Sequence, residues 1–145
     1  MIITDTKILR QISRITSHKE ADTLGLPLKL RSALDTGWTG GTGLAAIQIG
    51  IPLRFAWFTF QGKEYTLVNP EITEAFGGET QAEGCLSIPG KRVMVCRAYD
   101  IRYTSNGKPK RANGLMARII QHEVDHMNGV LITDKGKAER VSIIK

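Results

Sequence analysis

Cysteine and histidine are scarce in this 145-residue chain, at two and three residues. Two cysteines allow at most one disulfide, which excludes a disulfide-stapled scaffold. With no export signal, Cys85 and Cys96 read as free thiols or as a ligand. Cys96 has no motif around it and reads as a small hydrophobe. No apolar run approaches the roughly 18 residues that cross a bilayer. The N-terminus, Met1 to Gln11, lacks the long apolar stretch and small-residue cleavage site of a secretory leader. The expectation is a cytoplasmic protein with no membrane association. Internal repeats and low-complexity linkers are also missing. Hydrophobic residues at 41% and charged residues at 23% are ordinary for a folded protein and exclude wholesale disorder. The length suits one domain spanning residues 1–145. The net charge of +6 suits an anionic partner such as ribosomal RNA, although a solvated basic surface is the simpler reading. No bZIP, zinc-finger or RNA-recognition signature occurs, so no specific DNA binding is expected.

Local patterns divide the chain. Pro27 to Thr36 reads as a helix, with Pro27 in its first turn and Leu26, Leu30, Ala33 and Leu34 on one face. Gly37 ends it and opens a glycine-dense loop to Gly43. Phe55 to Phe60 and Tyr65 to Val68 read as strands joined by a turn at Gln61-Gly62-Lys63, and Asn69-Pro70 ends the second. Ile88 and Val93 to Val95 suggest further short strands. Ile101 and Tyr103 alternate with polar residues, and Asn106-Gly107 is a hairpin turn signal. Leu115, Met116, Ile119, Ile120, Val124 and Met127 then recur at helical spacing, between an Asn113 cap and a Gly129 terminator. The fold class is α+β: antiparallel sheets packed around a central helix.

That helix carries His122-Glu123-Val124-Asp125-His126, an H-E-x-x-H pattern. Residues four apart lie on one helical face, so His122 and His126 can aim at a single metal ion. Glu123 falls beside them and can reach a water on that ion without ligating it. Two satisfied histidines with no metal is the bland alternative. His18, in a polar segment, reads as exposed. The third ligand decides the class. A metzincin would place a histidine at position 132, where this chain has Ile132. A downstream glutamate exists only at Glu139, too near the chain end for a ligand-bearing helix. Cys85, in Glu83-Gly84-Cys85-Leu86-Ser87, is the better candidate, although spacing alone also allows a buried structural cysteine. A thiolate with two imidazoles leaves a fourth position for water, as catalytic sites do. Such a donor set suits Fe(II), Zn(II), Co(II) or Ni(II) rather than Mg(II) or Ca(II).

Three ordered segments resemble the peptide deformylase family: Gly41-Thr42-Gly43-Leu44-Ala45-Ala46-Ile47-Gln48, Glu83-Gly84-Cys85-Leu86-Ser87 and Gln121-His122-Glu123-Val124-Asp125-His126. Leu67-Val68-Asn69-Pro70, Ile88-Pro89, Arg92, Asn106-Gly107-Lys108 and Ala117-Arg118 add weaker similarity, so that the resemblance covers about residues 38 to 134. Leu9-Arg10 lacks the family's preceding proline, Cys96 stands where a proline is common, and the chain stops soon after Gly129. A short form is expected, such as some bacteriophage versions, with the long C-terminal helix of many members absent or rudimentary.

The resemblance implies removal of the formyl group from the N-terminal formylmethionine of nascent polypeptides, with transient ribosome contact. It implies that Cys85, His122 and His126 hold one divalent ion, Fe(II) in the cell, and that Glu123 is the general base. Gln48 and the Leu86 N–H would donate to the oxyanion; capping of local backbone is the plainer role for Gln48. Gly41 and Gly43 would let backbone approach the substrate peptide, pairing with it as an added strand. Leu115, Ile119 and parts of an 81–88 strand would line the methionine pocket, or serve as plain core. Glu83, Ser87, Arg97 and Asp125 would support the ligands, with Glu83 paired to Arg97; Asp125 also reads as a surface residue. Another H-E-x-x-H hydrolase, such as a small peptidase, or a non-catalytic ribosome-binding protein on the same scaffold, is the alternative.

Overall fold

Apolar residues alternate in the middle of the chain and recur at helical spacing near its end. The fold sorts these two periods into two antiparallel sheets and one long helix. The computed structural model describes residues 1–35, 42–136 and 138–140. In chain order it forms helices α1 (Thr6–Leu9), α2 (His18–Thr23) and α3 (Leu26–Asp35). Strands β1 (Gly43–Ala45), β2 (Phe55–Phe60), β3 (Lys63–Val68), β4 (Glu71–Cys85), β5 (Ile88–Ser105) and β6 (Lys108–Asn113) follow, then helix α4 (Gly114–Met127) and strand β7 (Ala138–Arg140). One sheet has the order β1-β2-β3. The other has the order β4-β5-β6, with β7 paired to β5. Among the described residues these strands pair antiparallel throughout.

Strand β2 joins two cores because its side chains alternate in direction. Phe55 and Trp57 pack with Leu26, Leu30 and Ala33 of α3. Ala56 and Phe58 face the other way and pack with Ala117, Ile120, Val124 and Met127 of α4. A fully buried side chain such as Ile120 contributes about 1.5–3 kcal/mol. The expected apolar face of α3 is thus present, with Leu34 half-buried beside it. The turn expected at Gly37 and the glycine-dense loop through Gly41 lie outside the described residues.

The ends of α4 follow from its caps. Asn113 is the N-cap in extended conformation, although its side chain caps no backbone N–H. At the C-terminus Gly129 adopts φ 72°, its N–H bonds His126 O, and the Val130 N–H bonds Asp125 O. This is a Schellman closure, which a residue with a Cβ adopts only with strain. Arg54 adds a second cap, donating to Met127 O at 3.1 Å and to Asn128 Oδ1 at 3.0 Å.

Three expectations are corrected. The short strands at Ile88, Val93–Val95 and Ile101–Tyr103 are one continuous strand, β5, paired along β4 and then β6. The strand expected over 81–88 ends at Cys85. Leu86 and Ser87 instead form the tight turn into β5. Cys96 is exposed rather than buried as a small hydrophobe, because it sits on the outer face of β5 opposite Thr80.

Candidate metal centre

The turn at Leu86-Ser87 places Cys85 at the end of β4, where its side chain meets the His122–His126 face of α4. The Cys85 Sγ lies 3.4 Å from His126 Nε2, and the two Nε2 atoms are 3.2 Å apart. All three donor atoms fall within 4.8 Å of one another. A tetrahedral ion with metal–nitrogen bonds of about 2.0–2.1 Å and a metal–sulfur bond of about 2.3 Å needs donor separations of roughly 3.3–3.6 Å. One thiol and two imidazoles at these separations fit one divalent ion of borderline softness.

Charged groups behind His122 fix which of its nitrogens faces the cluster. Glu83 is buried on β4, and its Oε1 lies 2.9 Å from His122 Nδ1. Arg97 of β5 donates to both Glu83 oxygens, at 2.8 and 2.9 Å. Burial raises the Glu83 carboxyl, but the bonds from Arg97 and His122 outweigh it and hold the group well below the usual carboxylate range. An ionised Glu83 can only accept, so His122 Nδ1 must carry the proton, and the Nε2 lone pair is left for an ion. Arg97 also reaches Asp125 Oδ2 at 2.5 Å. Asp125, one residue before His126, is therefore half-buried in an ion pair rather than free on the surface. His126 Nδ1 is buried with no partner among the described residues.

Glu123 turns from α4 toward β1. Its Oε1 is buried without a hydrogen-bond partner among the described residues. Burial raises its carboxyl to about 7, against the lowering pull of His122 and Arg97. A carboxylate poised near neutral pH is suited to exchanging protons. Gln48 occupies the 3-10 turn Ala46–Ile49 and is buried. Its Oε1 accepts from Ala45 N at 3.0 Å, so it does cap local backbone. Its Nε2 still points to the site, donating to Ser87 Oγ at 3.1 Å and lying 3.8 Å from Cys85 Sγ. The capping and site-facing alternatives are thus both occupied by one side chain.

A cleft of about 180 Å³ opens over these groups, lined among others by Gly43, Gln48, Leu86, Leu115, Ile119 and Glu123. Leu115 is exposed at its rim and Ile119 is buried in its wall. Gly43 has a packing reason to lack a side chain. A Cβ there would stand 2.6 Å from Phe58 Cβ and 3.1 Å from Glu123 Oε2. Gly41 lies outside the described residues. His18 is exposed, as expected.

Two residues at the site had drawn no role of their own from the sequence. Gln121 pairs both polar atoms with the backbone of Ala98, at 3.0 and 2.9 Å, and so docks α4 on β5 immediately before His122. Arg118 is buried and donates to Glu83 Oε2 at 2.6 Å. Its signal was available: an arginine four residues before His122 stands on the same buried face as the ligands.

The chain as a whole is similar to known proteins. The family model described as polypeptide deformylase matches residues 2–141. A peptide deformylase of Dictyoglomus thermophilum is 46% identical over 104 residues, covering 68% of this chain and 68% of that protein. A peptide deformylase of Agrobacterium fabrum is 37% identical over an alignment covering 100% of this chain and 91% of its own. The crystal structure of a peptide deformylase from Legionella pneumophila superposes with a TM-score of 0.82 at 33% identity, covering 93% of this chain and 84% of that one. With the match to the family model spanning nearly the whole sequence, the chain belongs to the peptide deformylase family of metal-dependent hydrolases.

Proposed function

We propose that this chain removes the formyl group from the N-terminal formylmethionine of new polypeptides, with Cys85, His122 and His126 holding one divalent ion. The observation that carries this reading is the convergence of those three donors beside the buried, half-unpartnered Glu123 carboxylate in an open cleft. An ion held by these three residues would supply Lewis acidity and ease the ionisation of water near neutral pH. Glu123 takes the proton of the attacking water and delivers it to the departing amine. The formyl C–N bond breaks, and formate and a free amino terminus leave. The Gln48 amide and the Leu86 N–H donate to the oxyanion that develops at the formyl carbonyl, each bond being worth about 3 kcal/mol in the transition state. Glu83, Ser87, Arg97 and Asp125 hold these groups in place.

Leu115 and Ile119 contact the methionine side chain from the rim and wall of the cleft. The peptide behind it pairs with β1 at Gly43, because β1 is one of the two edge strands of its sheet among the described residues. Fe(II) is the ion expected in the cell, and Zn(II), Ni(II) and Co(II) suit the same donors. The positive net charge favours transient contact with the ribosome in the cytoplasm.

Metal-loaded protein should release formate from formyl-Met-Ala-Ser and leave unformylated Met-Ala-Ser intact. Cleavage of the unformylated peptide with no formate from the formylated one would replace this reading with a small peptidase.

A further inference from the structure

Glu83 is gripped from two elements at once. Arg97 holds both its oxygens from β5. Arg118 and His122, one turn apart on α4, take one oxygen each: Arg118 Nη1 bonds Oε2 at 2.6 Å, and His122 Nδ1 lies 2.9 Å from Oε1. Arg118 is itself immobilised. The same Nη1 donates to Val95 O of β5 at 2.9 Å, and Nη2 donates to Glu79 O of β4. Its side chain is only 9% exposed. A lysine could not make these bonds together, since only the guanidinium offers several donors in a fixed fork.

The geometry points to Arg118 as a positioning residue for the ligand His122, acting through the Glu83 carboxylate, a role that rests on the metal site proposed above. Cys85 comes from β4, whereas both imidazoles come from α4. The ligand set is therefore correct only when helix and strand keep one relative height. Arg118 is anchored to carbonyls of both strands and to the carboxylate that faces His122, so it ties that height to the direction of the imidazole ring. Arg97 ties the sheet to α4 at Asp125, beside His126; Arg118 adds the tie to Glu83 one turn before His122, the ligand that Glu83 faces.

Cobalt(II) tests the proposal. Stripped wild-type protein and its Arg118→Met, Arg118→Lys, Glu83→Gln and Arg118→Met/Glu83→Gln variants are loaded with Co(II). The visible spectrum and the rate of release to a chelator are then recorded. Arg118→Met should shift the cobalt bands and speed release by about tenfold or more, as losses of ligand-supporting bonds do. Arg118→Lys should fall between it and wild type, and it carries the test if the methionine variant does not fold. In the Glu83→Gln background the methionine substitution should add little, because both changes break one linkage. Variants that melt at lower temperature yet keep the wild-type spectrum and release rate would overturn the proposal, as would fully additive effects. Wild-type protein that takes up no cobalt would instead overturn the metal site itself.

Discussion

At Gly43 a Cβ would meet Phe58 Cβ at 2.6 Å, the Trp57 carbonyl oxygen at 2.9 Å and Glu123 Oε2 at 3.1 Å. The first two cannot move without bending β2. The third is the proposed base. Gly43→Ala should therefore destabilise the protein by about 1–3 kcal/mol, the usual cost of overpacking. It should also lower formate release in the protein that remains folded. Urea titration and turnover at saturating substrate measure the two effects separately, and an alanine variant with wild-type stability would refute the packing argument. This role was not legible in the sequence, where Gly43 reads as a place for substrate backbone, because it depends on where Phe58 and Glu123 lie in space. The approach of His122 to His126 was legible, since four-residue spacing on a helix dictates it. Cys85 was a candidate by residue type, and its place beside them follows from the β4–β5 turn that no local pattern announces.

Among the elements, α4 was the most legible because its apolar period, cap and terminal glycine agree. Gly129 does more than permit the left-handed turn. A Cβ there would collide with the Arg10 carbonyl, which packs against the end of the helix. Gly129→Ala should cost about 3 kcal/mol, combining left-handed strain with overpacking. The loss would appear as a lower melting temperature, and an unchanged one would contradict the tight approach of α1. The Asn106-Gly107 hairpin was also legible, and both residues adopt positive φ, 53° and 74°. Strand β4 was not. Its sequence, Glu71–Cys85, is polar and mostly exposed, and it lacks the alternation that marks a half-buried strand. Its conformation comes from its register with β5, from Glu71 opposite Thr104 to Cys85 opposite Ile88. Pairing partners distant in sequence supply what local preference does not.

Across the whole molecule, the N-terminal segment is tied to the residues that follow α4. Arg10 makes two 2.9 Å bonds to Asp134, whose Oδ2 also accepts from Leu131 N. The side-chain bond from Arg10, followed by the backbone bond from Leu131, holds the Asp134 carboxyl below its ordinary value. A depressed carboxyl contributes stability above its unfolded pKa of about 4 and loses it as the pH falls through the folded value. The stability gap between wild type and Asp134→Asn should thus be full at pH 7 and closed by about pH 2, and salt should shrink it at neutral pH because the pair is half-exposed. An equal gap at both pH values would show that charge is not its source. The α+β class was legible from the order of periods along the chain, whereas the division into two sheets was not, because pairing partners set it. The most direct test of the account compares wild type with Glu123→Ala, each loaded with the same metal, for metal content and for formate released from formyl-Met-Ala-Ser. The account predicts equal metal in both and formate release slowed at least about a hundredfold in the variant; equal turnover at equal metal content would contradict it.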